Sequence, residues 1–308
     1  MTCKIITLYN HKGGVSKTTT TFNMAHLFAE NGKRVLVVDA DPQCNLTELL
    51  LSKLIEEIDV KQEASEADAD LPGTSLLQLM HPRISGERPD VDIADVKNIF
   101  ITDNLYLLRG DVALSEIEEA LAEAHIQRFS NKTHEKKTHV ALGAFLRKYG
   151  EENNFDYILL DVGPSSGALT RACFLICDGF FVPTVPDRFN VQAIRTLAAI
   201  LDRWMSEHEQ IYKNFKELGL PVELGKLIFL GIILQNYKLY RGEPRKGYKF
   251  WIKKIPIVFH DKLLLVLSKH SIEGRDLTRG LTQESCIAAN IPDFQSLAPL
   301  LQGNYPPP

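Results

Sequence analysis

Short apolar runs alternate along this chain with longer stretches whose apolar residues recur every three or four positions. Lys4-Ile5-Ile6-Thr7-Leu8 is a β-branched run of the kind that predicts a strand. A loop containing Gly13 and Gly14 spans Asn10 to Ser16. Phe22, Met24, Ala25, Leu27, Phe28 and Ala29 then follow at helical spacing, and Asn31-Gly32 supplies the stop. Val35-Leu36-Val37-Val38 is apolar without interruption, as in a strand covered on both faces. Strand, loop, helix and strand in that order predict a βαβ unit with a right-handed crossover.

The same grammar continues. Strands are predicted at Leu105–Leu108, at Tyr157–Leu160 leading into Asp161, at Phe180–Val182 and at Ile228–Leu234. Helices are predicted from Ser115 to Ala124, through Leu142, Phe145 and Leu146, and over 168–177 and 190–206. This alternation predicts the α/β class: a single doubly wound, mainly parallel β-sheet flanked by helices, forming one domain over 1–308. Two stretches break the pattern. Residues 56–70 hold seven acids and one base, Lys61, closed by Pro72-Gly73. They read as a solvated, partly mobile acidic insertion at about 51–75, with an acidic interaction tail as the alternative. Gln127 to Lys137 reads as a polar, basic connection.

Composition narrows the class. The chain of 308 residues carries 39 acidic and 35 basic side chains, a net charge of -4, and is 44% hydrophobic. That balance excludes a disordered or collagen-like chain. No apolar run reaches the roughly 20 residues a membrane span needs, and the N-terminal residues do not read as a signal peptide. Five scattered cysteines suggest cytosolic thiols rather than a disulfide framework. Cys173 and Cys177 lie one helical turn apart, a spacing that suits packed thiols better than a ligand site.

Chemistry concentrates in Lys12-Gly13-Gly14-Val15-Ser16-Lys17-Thr18-Thr19, between a predicted strand and helix. The backbone N–H groups of such a loop, with a helix N-terminus behind them, form a nest for phosphate oxygens. Lys17 would reach the β- and γ-phosphates, and the Thr18 hydroxyl would ligate Mg²⁺. His11 and Ser16 stand where the common G-x-x-x-x-G-K-[ST] loop has glycines.

The loop resembles the deviant Walker A motif of the ParA/MinD superfamily, whose usual form has Gly at the Ser16 position. Val37-Val38-Asp39-Ala40-Asp41-Pro42-Gln43-Cys44-Asn45 resembles that family's V-D-x-D-P-Q-x-N segment, with Cys44 where Gly is frequent. Asp156 to Ser165 is similar to its Walker B segment. Val182-Pro183-Thr184 and Ile291-Pro292-Asp293-Phe294 match two later ones. The resemblance runs from residue 1 to about 300 and leaves 51–103 and 126–138 without a motif. It implies a P-loop fold of the deviant Walker A type, binding ATP and Mg²⁺. Lys12, Gly13, Gly14, Val15, Ser16, Lys17, Thr18 and Thr19 would hold the phosphates. Asp161 and Thr18 would serve the metal, with Asp39 in its outer shell, and Asp41 would position the attacking water. Lys12, the family's signature lysine, would reach the phosphates of a partner subunit, as an arginine finger does. Asn236 would lie near adenine, although an Asn there equally caps a turn.

Residues 238–254 carry seven bases against Glu243, with Tyr240, Tyr248, Phe250 and Trp251 interleaved. Such a segment can bind a phosphate backbone without reading sequence; the alternative is a solvated loop whose aromatics pack on the protein. By resemblance, Lys238, Arg241, Arg245 and Lys246 are the expected contacts to non-specific DNA. The family's later DNA-contacting arginine has no counterpart around Pro292-Asp293-Phe294-Gln295. The expected function is a ParA-like, ATP-dependent homodimer that hydrolyses ATP slowly, to partition or position DNA or another cargo. Its expected partner is a ParB-type adaptor, and its place the cytoplasm or nucleoid. One rival is a MinD-like membrane-cycling ATPase, against which Pro306 to Pro308 weigh because it needs an amphipathic C-terminal helix. The other is a nucleotide-gated switch with little turnover.

Overall fold

The computed structural model describes residues 2–65, 70–222 and 226–293. In chain order the elements are β1 (Lys4–Leu8), α1 (Lys17–Glu30), β2 (Val35–Ala40), α2 (Asn45–Ser65), α3 (Leu76–Ile84), β3 (Ile99–Thr102), β4 (Leu105–Leu108), α4 (Ser115–Ile126), α5 (Thr133–Glu152) and β5 (Tyr157–Val162). Then come α6 (Ala168–Leu175), β6 (Gly179–Thr184), α7 (Arg188–Glu217), β7 (Ile228–Gln235), β8 (Leu239–Tyr240), β9 (Glu243–Pro244), α8 (Lys246–Val258), α9 (Leu265–Lys269) and β10 (Ile287–Ile291).

Eight strands form one sheet in the order β10-β7-β6-β1-β5-β2-β4-β3. Every pairing in it is parallel except β3 with β4. The side chains show why the strands read as continuous apolar runs. Ile5, Leu36, Val38, Ile158 and Leu160 enter one core, whereas Ile6, Val35, Val37 and Leu159 enter a second core on the opposite face. Successive residues of a strand point to opposite faces, so a sheet covered on both sides needs both sets apolar. Alanines of α1 and leucines of α2 line the second core, and α3 to α8 contribute to the larger first one.

The structure corrects three expectations. The acidic tract is no loose insertion: it continues α2, a helix through Ser65. Leu46, Leu50, Leu51, Leu54 and Ile55 recur at helical spacing and pack inward, leaving acids such as Glu56, Glu57 and Asp59 on the exposed face. Glu66 and Asp68 lie outside the described residues. The connection at 127–137 gives way to α5 at Thr133. The basic segment is a hairpin and a helix instead of a loop. Arg241 and Gly242 both have positive φ, 51° and 78°, the turn type whose twist suits a two-residue hairpin. Beyond it α8 contains Pro256, which lacks a backbone donor, and the chain passes through a π-helical turn at Phe259–Leu264 into α9.

Candidate functional site

Three strand ends at the centre of the sheet converge on the loop after β1. Gly14 and Ser16 adopt left-handed backbone conformations, with φ of 71° and 58°. The Ser16 side chain caps none of the first amides of α1, which leaves those donors to a ligand. Asn10 fixes the loop's base: its side chain donates to the Pro183 carbonyl at 2.9 Å and accepts from the Lys12 amide at 3.0 Å. Lys17 is buried and donates to the Asn10 carbonyl at 3.3 Å. Burial pulls its pKa down, while Asp161 and Asp41 act against that pull. Burial and then Lys17 pull the His11 pKa down.

Asp39 and Asp161 are register partners on β2 and β5 but have different surroundings. Asp39 is fully buried and its oxygens are engaged: Oδ2 accepts from the Thr47 amide and hydroxyl, Oδ1 from the Asp41 amide. Burial still raises its pKa. Asp161 is equally buried, yet neither of its oxygens meets full hydrogen-bond geometry with a donor. Burial and then Asp39 push its pKa up to about 7, against the pull of the Thr18 hydroxyl and Lys17. An orphaned, desolvated carboxylate beside a hydroxyl is what a divalent cation would satisfy, so Asp161 and Thr18 fit Mg²⁺. A Mg²⁺ site of this kind takes one or two protein ligands plus phosphate oxygens and water, so it needs no larger cluster; no group of three His, Cys, Asp or Glu suited to a metal occurs among the described residues.

Asp41 follows β2 and accepts from the Gln43 amide at 3.0 Å. The loop after β5 closes on it: a Cβ on Gly163 would lie 3.1 Å from an Asp41 oxygen. Lys12 sits at the rim, 3.5 Å from Asp187 at the start of α7 and over the Phe189 ring. The exposed Asn236 donates to Ser16 Oγ at 2.8 Å, and its neighbour Gln235 donates to Thr20 Oγ1 at 2.8 Å. The end of β7 is thereby stitched to the phosphate loop. Lys12, Lys17, Thr18, Asp39, Asp41, Asp161 and Asn236 thus gather at one place.

Lys238, Arg241, Arg245 and Lys246 lie apart from it, exposed on the hairpin and the start of α8. Tyr237 is buried, and Tyr248 and Trp251 pack against the core, while Tyr240 and Phe250 are exposed. Phe294 and Gln295 of the Ile-Pro segment lie outside the described residues, as do Pro306 to Pro308. Sequence reasoning missed Asn10, Thr47, Asp187 and Gln235. Only Asp187 carried a local signal, as an Asp that caps the helix it precedes.

A parallel sheet with a two-lysine phosphate loop after its central strand, facing carboxylates on the neighbouring strands, defines a P-loop nucleotide-binding protein. The family described as "AAA domain" (AAA_31) matches residues 3–214, and the chain belongs to its ParA/MinD-type P-loop ATPases. Among curated relatives, the sporulation initiation inhibitor protein Soj of Bacillus subtilis is 32% identical over 194 residues, 63% of either chain. Among solved structures, protein DIP2308 of Corynebacterium diphtheriae superposes with a TM-score of 0.63 at 28% identity, covering 83% of this chain and 88% of that one. The ATP complex of a McdA variant from Cyanothece shares the fold, with a TM-score of 0.57 at 23% identity over 83% and 79%. No helix among the described residues is long and apolar enough to cross a membrane.

Proposed function

We propose that this chain is a Mg²⁺-dependent ATPase that dimerises on ATP and uses slow, adaptor-stimulated hydrolysis to partition or position DNA or another cargo. The observation that carries this reading is the orphaned Asp161 carboxylate beside Thr18 and Lys17. When bound, Mg²⁺ would supply charge neutralisation at the β- and γ-phosphates. The chain's own residues would do the rest. Lys17 would exchange the Asn10 carbonyl for phosphate oxygens. The amides of Gly13 to Thr19 would cradle those oxygens, with Asn236 beside the base. Asp41, held by the Gln43 amide, would orient the attacking water. Lys12 would leave Asp187 for the partner subunit's phosphates, making ATP the glue of the dimer.

The likeness to the chromosome partitioning protein ParA of Caulobacter vibrioides, 27% identical over 200 residues, supports the partition setting, and the exposed bases of β8, β9 and α8 support duplex DNA as a non-specific partner. A ParB-type adaptor, no membrane, and a cytoplasmic or nucleoid location complete the proposal. The test is phosphate release under excess ATP, with light scattering in parallel. Lys17→Ala should lose ATP binding. Asp41→Ala should bind ATP and remain dimeric without turnover, and Lys12→Gln should bind ATP as a monomer. A Lys12→Gln protein that dimerises and turns over normally would remove the trans role of that lysine.

A further inference from the structure

A cavity of 390 Å³ lies between α5 and α6, within the size range of small-molecule sites. It is separate from the phosphate loop. At one end Arg147 donates to the carbonyls of Cys3 and Ile176 and to Asp178. Cys3 and Asp178 precede β1 and β6, whereas the phosphate loop leaves the far end of β1. The lining is mainly apolar, and Gly143, Ala144, Ala168 and Ala172 supply little side-chain volume to fill it.

One polar group in this lining stands out. The Arg171 guanidinium makes no hydrogen bond and no ion pair among the described residues. Two acids act on it through space: Glu207, whose Oε2 lies 3.2 Å from the neutral His125 and makes no hydrogen bond among the described residues, and Glu118, both of whose oxygens accept amides of α6. Burial lowers the Arg171 pKa, the mark of a cation short of solvation. Among the described residues that line the cavity, four are bases and one, Glu151, is an acid. His139 and His208 also line it, and burial holds them neutral, at about 3 and about 4. A neutral apolar occupant would leave the guanidinium without an acceptor, and a bare inorganic anion would leave the apolar walls wet.

We propose that this groove binds a small carboxylate with an apolar body, its carboxylate paired with the Arg171 guanidinium. A planar carboxylate can take two parallel N–H donors from one guanidinium, and the apolar body would cover Val140 and Leu175.

The test uses the full chain and two probes in calorimetric titrations, decanoate and its neutral counterpart decanamide, both below their aggregation concentrations. Decanoate should saturate a single site and bind about tenfold tighter than decanamide, as a charge-assisted bond requires. Arg171→Met should bring decanoate down to the affinity of decanamide, and Ala172→Phe should abolish binding of both by filling the groove. Arg171→Gln stands in if the Met variant does not fold. Affinity for a fluorescent ATP analogue, read on the same samples, should be retained in the variants. Non-saturating binding of decanoate, equal affinity for the two probes, or an Arg171 variant that binds decanoate as well as wild type would each overturn the assignment.

Discussion

Lys12 Nζ lies 3.5 Å from Asp187 Oδ2 of its own chain, with the Phe189 ring beneath it. The lysine expected to act across a dimer interface is therefore paired within its own chain. The two side chains are 34% and 39% exposed, and such ion pairs contribute about 0–1 kcal/mol, a weak hold. Asp187→Asn would remove the charge and keep the cap on the Asn190 amide. The ATP-dependent dimer should tighten by at most about fivefold, measured by light scattering across a dilution series. A weaker dimer would mean that Asp187 assists association instead of restraining Lys12.

Ser16 and Cys44, at the two positions where relatives favour Gly, are both left-handed, with φ of 58° and 52°. A side chain there costs about 1–2 kcal/mol, partly offset by the extra freedom glycine has in the unfolded chain. Cys44→Gly should therefore raise stability by about 0.5–1 kcal/mol, seen as a higher urea midpoint at unchanged slope. Ser16→Gly should be near neutral, because it also loses the bond from Asn236.

The nucleotide-free protein should depend on pH in two opposed ways. Asp161 ionises near pH 4 when unfolded and at about 7 when folded. Between those values the folded state holds the extra proton, so this group's contribution to stability falls as pH rises. At ~1.4 kcal/mol per unit it amounts to a few kcal/mol. His125 and His139, at about 3, and His208, at about 4, do the reverse. The unfolded chain protonates them below about 6.5, so their contribution is lost as pH falls from there. Urea midpoints of wild type and Asp161→Asn from pH 4 to 8 isolate the first effect: the variant's relative stability should climb with pH. A constant difference would place Asp161 as an ordinary ionised carboxylate.

On the basic face, Lys249 is paired with Glu243 while Lys253 is exposed and makes no ion pair among the described residues. Duplex retention with ATP should fall steeply with salt, and Lys253→Ala should lower the log–log salt slope by about one. Lys249→Ala should lower it less, because Glu243 already neutralises that charge. Replacing Arg241, Arg245 and Lys246 with Glu should abolish retention and spare dimerisation. Equal retention by this triple variant would leave the segment as a solvated surface.

The strands of the sheet's interior were legible because each is buried on both faces, so its apolar run has no gaps to misread. β3 and β10 were not: they close the edges, run for only four and five residues, and have no fully buried residue. The acidic half of α2 was misjudged because charge hid a helical period running through Leu46, Leu51 and Leu54. Lys17 followed from the pattern of the phosphate loop, whereas Lys12 and Asp161 were singled out only through the resemblance to the family's motifs. Asn10 and Gln235 could not be found either way, since each acts through a tertiary contact that no local pattern encodes.

β7 ends at two residues that grip the phosphate loop, and the next residues open the basic hairpin. A single strand end is thus shared by two surfaces. Any free energy by which an occupied loop favours one posture of the hairpin must reappear, with the same factor, as the effect of a ligand on the hairpin upon affinity at the loop. A polyanion that bound along α8 would then be an effector of nucleotide binding, and nucleotide an effector of the polyanion.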